Sequence, residues 1–389
     1  MNISSQKRRK RLMNRVKEIR KERGLTQEIL SEKVNISRKY LSMIERQKVN
    51  PSIDVALKIA DSLNVSVDKL FINTEKTFDT DIPGKIKYID LFCGIGGFRF
   101  AINAAMKNLN ISGDCVFSSD IDKYAQDSYE ANFGERPMGD IKLIDEKDVP
   151  DFDILLAGFP CQAFSICGLQ QGFEDTTRGT LFFDIARIIK EKRPKAFVLE
   201  NVKNLASHDH GNTLKTILDT LRDELGYHVD YKVLNALDFG LPQKRERIII
   251  VGSLKPFVMD WKFEITDKKT LSDVLEKNVD KKHFASPEIV QKRKSMHVAK
   301  DNPSIWHENK SGNISSYPYS CALRAGASYN YLLVNGERRL TPREMLRLQG
   351  FPDEFKIVVS DTQTRKQAGN AIPVTMVEKV IEKFIPMVL

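Results

Sequence analysis

Short apolar runs recur through the middle of this chain, and each of them ends on a glycine or on polar residues. The runs cover residues 87–92, 115–119, 154–157, 196–199, 231–234 and 248–251. Patterns typical of helices, at 98–106, 181–192 and 213–225, separate several of them. Because strands that alternate with helices build a sheet covered on both faces, the series predicts a doubly wound α/β domain.

The first run opens directly into a glycine-rich loop, CGIGGF. Gly94, Gly96 and Gly97 allow the backbone to turn sharply and to approach a ligand closely. A strand, a glycine loop and a helix in succession are typical of sites for nucleotide-like cofactors, although this spacing is not that of a dinucleotide-binding loop. Asp120 ends the second run, where it could accept a hydrogen bond from a ribose hydroxyl, and Asp140 adds a polar group at the predicted end of a further strand. Each aspartate alone is more often a cap or turn residue.

A cysteine follows the third run, in the segment GFPCQAFS. Gly158 and Pro160 end the regular structure, so Cys161 is expected on a loop at the carboxyl edge of the sheet, where ligands bind in open α/β sheets. A single cysteine is as often a small buried thiol, so this residue alone does not decide between packing and chemistry. Residues 166–180 are rich in glycine and polar residues and are predicted to form a loop.

Charged residues follow two later strands. Glu200 comes directly after the run 196–199, where it could act as an acid or simply cap the next helix. Gln243, Arg245 and Arg247 alternate along the approach to the last strand, so they are predicted to share one face of it.

The N-terminal part of the chain is basic, whereas the rest is close to neutral. Residues 1–75 hold 17 Lys and Arg against 9 Asp and Glu, and residues 76–389 hold 44 against 43. This asymmetry indicates that the first 75 residues meet a polyanion. A solubilising basic tail is the simpler alternative for the run KRRKR at 7–11.

Residues 14–71 follow the pattern of a helix-turn-helix domain. Thr26 and Ser37 are placed to cap two successive helices that a short turn separates. The segment 24–71 resembles the helix-turn-helix domain of phage-repressor-like regulators. That resemblance implies that Gln27 touches the DNA backbone, while Arg38, Lys39 and Tyr40 begin the recognition helix in the major groove. A helical bundle that binds protein remains the alternative.

The composition divides the chain into four parts. We predict a helix-turn-helix domain at 1–75, a linker at 76–85, a catalytic domain formed by 86–252 and 338–389, and a small recognition lobe at 253–337. The lobe is polar and irregular and contains both tryptophans and a group of tyrosines.

Compartment and membrane contact follow from the composition. The five cysteines are odd in number and scattered, without the paired spacing of metal ligands, which favours reduced thiols in the cytoplasm. No apolar run approaches the length of a membrane span, and no secretory signal is visible. We therefore expect a cytoplasmic protein that does not contact a membrane.

Seven blocks of residues 86–389 together resemble the DNA cytosine-5 methyltransferases. In order they are DLFCGIGGF, GDI, GFPCQAFS, LENV, QKRERIIIVG, RRLTPREMLRLQGFP and QAGNAIPVTM. The resemblance implies a doubly wound fold that binds S-adenosyl-L-methionine. It places Phe92, Gly94, Gly96, Gly97 and Asn370 in the cofactor pocket, Asp120 on the ribose and Asp140 on the adenine amino group. Asp120 stands where the family commonly has glutamate, and Ile121 stands where an aromatic residue often covers the adenine.

The same resemblance assigns the chemistry. Cys161 would attack C6 of a flipped cytosine, Glu200 would protonate or hydrogen-bond N3, and Arg245 and Arg247 would bind O2 and the adjoining phosphate. Ser165 would contact a nearby phosphate, and Arg324 lies where the recognition lobe rejoins the target DNA.

These assignments predict a sequence-specific DNA (cytosine-5) methyltransferase of a restriction–modification system. Its N-terminal domain is expected to bind a separate operator on double-stranded DNA and to regulate transcription, with a cognate restriction endonuclease as genetic partner. Two alternatives stay open. One is a helix-turn-helix transcription factor whose large domain binds a ligand without catalysis, and the other is an RNA cytosine-5 methyltransferase.

Overall fold

The structure, a computed structural model, describes residues 12–46, 48–65, 67–73, 85–160 and 181–389. In these ranges the chain forms a helical N-terminal domain, an α/β domain and a small lobe. No helix in these ranges is long and apolar enough to cross a membrane.

The N-terminal domain is a bundle of short helices. Its elements are β1 Leu12–Asn14, α1 Val16–Glu22, α2 Gln27–Lys33, α3 Arg38–Glu45, α4 Ile53–Leu63, α5 Val67–Leu70 and β2 Phe71–Asn73. The hydroxyls of Thr26, Ser37 and Ser52 each accept a hydrogen bond from a main-chain N–H in the first turn of the next helix, as N-caps do. Apolar residues of α1 to α4 form one buried cluster, and β1 pairs with β2 in antiparallel fashion. The predicted caps at Thr26 and Ser37 are confirmed.

A six-stranded sheet forms the centre of the α/β domain. Its strands are β3 Ile86–Leu91, β4 Gly113–Ser119, β5 Ile154–Gly158, β6 Ala196–Val202, β7 His228–Asn235 and β9 Glu246–Ser253, in the order β4-β3-β5-β6-β9-β7. The short strand β8, Gln243–Lys244, precedes β9. The pairs among β4, β3, β5 and β6 are parallel, whereas β9 runs antiparallel to both of its neighbours.

Helices cover both faces of this sheet. They are α6 Gly97–Asn108, α7 Lys123–Phe133, α8 Leu181–Lys192, α9 Asn212–Asp219 and the C-terminal α14 Val374–Val388. Alternate strand residues enter different cores, because Leu156 packs in the cluster with α6 and α14 while Leu155 packs in the cluster with α8 and α9. The predicted doubly wound α/β fold is confirmed.

The lobe predicted to act in recognition is less independent than its composition suggests, and we call it the recognition lobe for that prediction. Its elements are α10 Leu271–Val274, α11 Pro287–Met296, β10 Ile305–Glu308, β11 Ile314–Tyr317, β12 Ser320–Cys321 and β13 Leu332–Val334. Two helices follow it, α12 Pro342–Leu348 and α13 Asp361–Asn370. The lobe's buried cluster includes Leu348 and Ala368 of these helices, and β12 pairs in parallel with β8. The lobe is thus packed directly onto the segments that carry the site.

Two predicted strand ends differ from the structure. The strand β6 continues to Val202, so Glu200 lies inside a strand, paired with Gly158 and Ile249, instead of following it. Asp140 does not end a strand, because Met138 forms only an isolated bridge with Ser119. Its carboxylate caps a 3-10 turn, Ile141–Leu143.

Candidate active site

A cavity of about 580 Å³ opens where β3, β5 and β6 end. This volume is typical of sites that enclose a small molecule. Most of the predicted site residues that the structure describes line it, namely Phe92, Gly94, Gly97, Asp120, Ile121, Asp140, Glu200, Arg245, Arg247 and Asn370.

The glycine loop and Asp120 are locked together on one side of the cavity. The N–H of Gly94 donates to one carboxylate oxygen of Asp120 at 2.8 Å, and the N–H of Asp122 donates to the other at 2.8 Å. Burial raises the pKa of Asp120, although these two N–H groups favour its anion. Gly94 itself has φ of +55°, a conformation that glycine adopts without strain.

Gly96 does not line the cavity, contrary to the prediction. It caps the N-terminus of α6 with φ of +84°, and a Cβ there would lie 2.2 Å from the ring of Phe133. Gly97 does line the cavity, and a Cβ on it would lie 2.7 Å from Ile372. Gly96 is therefore needed for the backbone turn at the start of α6, whereas Gly97 is needed for the close approach of the backbone to Ile372.

Helix α13 closes this side of the cavity. Asn370 ends the helix, Lys366 pairs with Asp122 at 2.6 Å, and Gln367 donates to the carbonyl of Tyr124. Lys366 and Gln367 could not be predicted from local sequence, because their partners lie more than 240 residues away in the chain. Only the position of Gln367 within the block QAGNAIPVTM pointed toward the site.

The donors and acceptors of this half fit the nucleoside part of S-adenosyl-L-methionine. Two carboxylates, those of Asp120 and Asp140, face a cavity with apolar walls that include Phe92 and Ile121. Carboxylates accept hydrogen bonds from ribose hydroxyls and from an adenine amino group.

A buried ion pair forms the other half of the cavity. Because Val202 is paired with Arg247 across the strands β6 and β9, the side chains of Glu200 and Arg247 fall on the same face. Arg247 Nε lies 2.6 Å from Glu200 Oε1. Burial raises the pKa of Glu200, and the charges of Arg247 and Arg245 oppose that shift. The pKa of Glu200 is therefore raised by burial in spite of its pairing with Arg247.

Arg245 lies next to this pair but is held differently. It is 1% exposed, and its terminal nitrogens donate to the carbonyls of Leu323, Gly369 and Ala371 at 2.7 to 2.9 Å. Burial, reinforced by the charge of Arg247, lowers the pKa of Arg245 to about 9, so it is still protonated at neutral pH. These contacts favour a positioning role, in which Arg245 joins the lobe to the C-terminal end of α13. Its predicted contact with the cytosine stays a prediction.

Cys161 and Ser165 lie outside the residues that the structure describes. Phe159 and Pro160 line the cavity immediately before Cys161 in the chain. The side-chain amide of Asn201 donates to the carbonyl of Phe159 at 2.9 Å and holds this segment beside Glu200. Asn201 was not among the predicted site residues, although it follows Glu200 in the block LENV.

The predicted DNA-contact residues lie in two other places. Arg38 and Lys39 are exposed at the start of α3, and Tyr40 is half-buried. Gln27 donates to the carboxylate of Glu45 at 2.7 Å. Arg324 is exposed on the recognition lobe. Their contacts with DNA stay predictions.

Comparison with known proteins identifies the class. Residues 86–385 match the C-5 cytosine-specific DNA methylase family, and residues 16–70 match a helix-turn-helix family. The chain therefore belongs to the C-5 cytosine-specific DNA methylases and carries an N-terminal helix-turn-helix domain.

Individual relatives cover most or nearly all of the chain. The type II methyltransferase M.NgoBI of Neisseria gonorrhoeae is 57% identical over 295 residues, which are 75% of this chain and 90% of that protein. The type II methyltransferase M1.ScrFI of Lactococcus lactis subsp. cremoris is 42% identical over 382 residues, 95% of this chain and 94% of that protein. The structure of the Entamoeba histolytica methyltransferase EhMeth superposes with a TM-score of 0.58 at 18% identity, over 77% of this chain and 98% of that one, which shows the fold alone.

Proposed function

We propose that this protein transfers a methyl group from S-adenosyl-L-methionine to C5 of cytosine in double-stranded DNA, as the cytoplasmic modification enzyme of a type II restriction–modification system. One observation carries the proposal. The buried pair of Glu200 and Arg247 shares a cavity with Asp120 and the glycine loop, and the segment leading to Cys161 lines that same cavity.

The chemistry explains why these groups belong together. Cytosine C5 is a poor nucleophile, and attack of the Cys161 thiolate on C6 makes C5 enamine-like. As the C6–S bond forms, electron density moves toward N3 and O2, where Glu200 donates a proton and Arg247 stabilises the charge. When bound, S-adenosyl-L-methionine supplies an electrophilic methyl group, which C5 takes up. A base then removes the C5 proton, and the C6–S bond breaks to release Cys161.

This scheme requires the cytosine to leave the base stack. An atom inside a duplex cannot reach the floor of a cavity, so the target nucleotide must turn out of the helix. The cavity includes both the half that fits a nucleoside and the half that contains Glu200 and Arg247. This arrangement supports the proposal that a cofactor and a flipped base bind side by side.

The test is transfer of a labelled methyl group from the cofactor to duplex DNA. We expect transfer by the unaltered chain and none by Cys161→Ala, and a covalent complex with DNA in which the target cytosine carries fluorine at C5. Binding without transfer would favour the non-catalytic transcription factor. Transfer to RNA alone would favour the RNA methyltransferase.

We also propose that the N-terminal domain represses transcription from an operator of its own system. The exposed Arg38 and Lys39 at the start of α3 support this role, since residues at this position of a helix-turn-helix reach the major groove. Footprinting of the full chain on its upstream DNA should show a protected site that Arg38→Ala with Lys39→Ala abolishes while methylation persists. Lys58→Ala on α4, where the lysine pairs with Asp54, is the matched control. Equal protection of upstream and random DNA would refute the regulatory role.

A further inference from the structure

Three arginines converge on two tyrosine rings where the recognition lobe meets α13. The guanidinium carbon of Arg324 lies 4.9 Å from the centre of the Tyr331 ring, and that of Arg339 lies 4.7 Å from the centre of the Tyr329 ring. Arg365 lies 4.9 Å from Tyr329 and 5.7 Å from Tyr331. We call these five residues the arginine cluster.

The charges of the arginine cluster are not neutralised. Among the described residues, no carboxylate lies within ion-pair distance of any of its three guanidinium groups. Arg365 donates to the carbonyls of Ala327 and Ser328, and Arg339 donates to the carbonyl of Lys282. Carbonyls and rings hold these side chains in place without removing their charge.

Other arginines nearby are paired with carboxylates. Arg338 forms two 2.8 Å hydrogen bonds with Glu344, Arg347 pairs with Asp353 at 2.7 Å, and Arg293 pairs with Glu308 at 2.6 Å. These three arginines are therefore matched by acids. The arginine cluster differs from them, which indicates an external anionic partner.

The arginine cluster is adjacent to the wall of the active-site cavity. A Cβ on Gly369, which lines that cavity, would lie 2.3 Å from the N atom of Ala325, so the backbone beside Arg324 touches this wall. Arg365 precedes Asn370 by five residues on α13, about 7.5 Å along the helix axis. A duplex whose cytosine enters the cavity would pass close to these guanidinium groups.

We infer that the arginine cluster is a phosphate clamp that fixes the DNA backbone beside the flipped cytosine, an inference that rests on the proposed function. Guanidinium groups bind phosphate through paired N–H donors, and such contacts set the position of a duplex without reading its sequence. Tyr329 and Tyr331 keep the arginines oriented before DNA arrives, so less side-chain entropy is lost on binding. Because two of the arginines are already tied to carbonyls, they are suited to the backbone more than to base edges deep in a groove.

Salt-dependent binding tests the clamp. The full chain is titrated with a short duplex containing its methylation site and with a scrambled duplex, both lacking the operator, over a range of salt concentrations. Affinity falls as salt rises, and each lost phosphate contact makes the negative slope of log affinity against log salt shallower by about 0.9. We expect Arg339→Gln and Arg365→Gln each to produce this change in slope. Each variant should also lower the affinity for both duplexes by the same factor.

Three controls make the result specific. Arg339→Lys keeps the charge and should restore most of the slope, whereas Arg347→Gln, which removes an acid-paired arginine, should leave the slope unchanged. Tyr329→Leu should lower the affinity for both duplexes with a smaller change in the salt slope, because it removes the ring that orients the arginines and keeps their charges. An unchanged salt slope in both glutamine variants would overturn the clamp. A glutamine variant that no longer distinguishes the two duplexes would also overturn it, because that result would indicate contacts with bases. The proposed function fails separately, if the unaltered chain transfers no methyl group to DNA.

Discussion

Glu200 combines a buried carboxyl group with a direct cationic partner, Arg247. Because burial raises the pKa of Glu200, its protonated form persists to higher pH than in an exposed glutamate. If Glu200 gives a proton to N3, kcat should fall as pH rises through this pKa. Glu200→Gln should lower kcat by roughly 10²- to 10⁴-fold and remove this limb of the kcat–pH profile. A variant that keeps the same falling limb would show that another group sets it.

Gly94 and Gly96 provide a matched pair of backbone positions. Both have positive φ, so alanine costs about 1–2 kcal/mol of strain at either. Only at Gly96 would the new Cβ also collide with Phe133, whereas none of the described atoms lies within 4 Å of a Cβ at Gly94. We therefore expect Gly96→Ala to lower the thermal unfolding midpoint more than Gly94→Ala does. Equal midpoints would mean that the Phe133 ring moves aside freely.

At the scale of elements, the start of α12 depends on one carboxylate. Glu344 is fully buried and accepts from Arg338, from the N–H of Thr341 and from the N–H of Glu276. Glu344→Ala leaves these donors unsatisfied, so we expect about 3–5 kcal/mol less stability in urea unfolding. The exposed pair of Lys58 and Asp54 provides the control, since Asp54→Ala should cost at most about 0.5 kcal/mol. A loss for Glu344→Ala as small as this would contradict the buried network.

The sequence predicted elements well where local pattern decides them. The helix Leu181–Lys192 ends where its apolar periodicity predicts. The end of β6 was missed because Glu200 and Asn201 are polar, and their place in the strand is set by pairing with the neighbouring strands.

The residues of the candidate site also fall into those that local sequence predicts and those that only folding brings together. Asp120 could be predicted because it follows a strand in the chain. The three carbonyl partners of Arg245 could not, since they lie 78 to 126 residues away and are brought together only by folding.

At the scale of the whole molecule, the N-terminal domain rests against the edge of the central sheet. Arg222, in the π-helical turn after α9, pairs with Glu22 at 3.0 Å and with Glu18 at 3.4 Å on α1. Arg15 donates to the carbonyl of Val229 in the edge strand β7. The docked helix is α1, so the exposed start of α3 is left available for DNA.

Reversing one charge should release this docking. Partly exposed ion pairs contribute at most about 1 kcal/mol each, so losing the two pairs of Arg222 shifts the docking equilibrium by up to roughly 30-fold. We expect Arg222→Glu to increase hydrogen exchange along β7 and to leave methyl transfer unchanged. Glu18→Lys with Glu22→Lys in the same chain should restore protection, because the charges are then exchanged. Lys215→Glu, an equal charge change at an exposed lysine of α9, should have no effect on β7. If the β7 amides exchange at the same rate in Arg222→Glu and Lys215→Glu, the ion pairs of Arg222 do not hold the N-terminal domain in place.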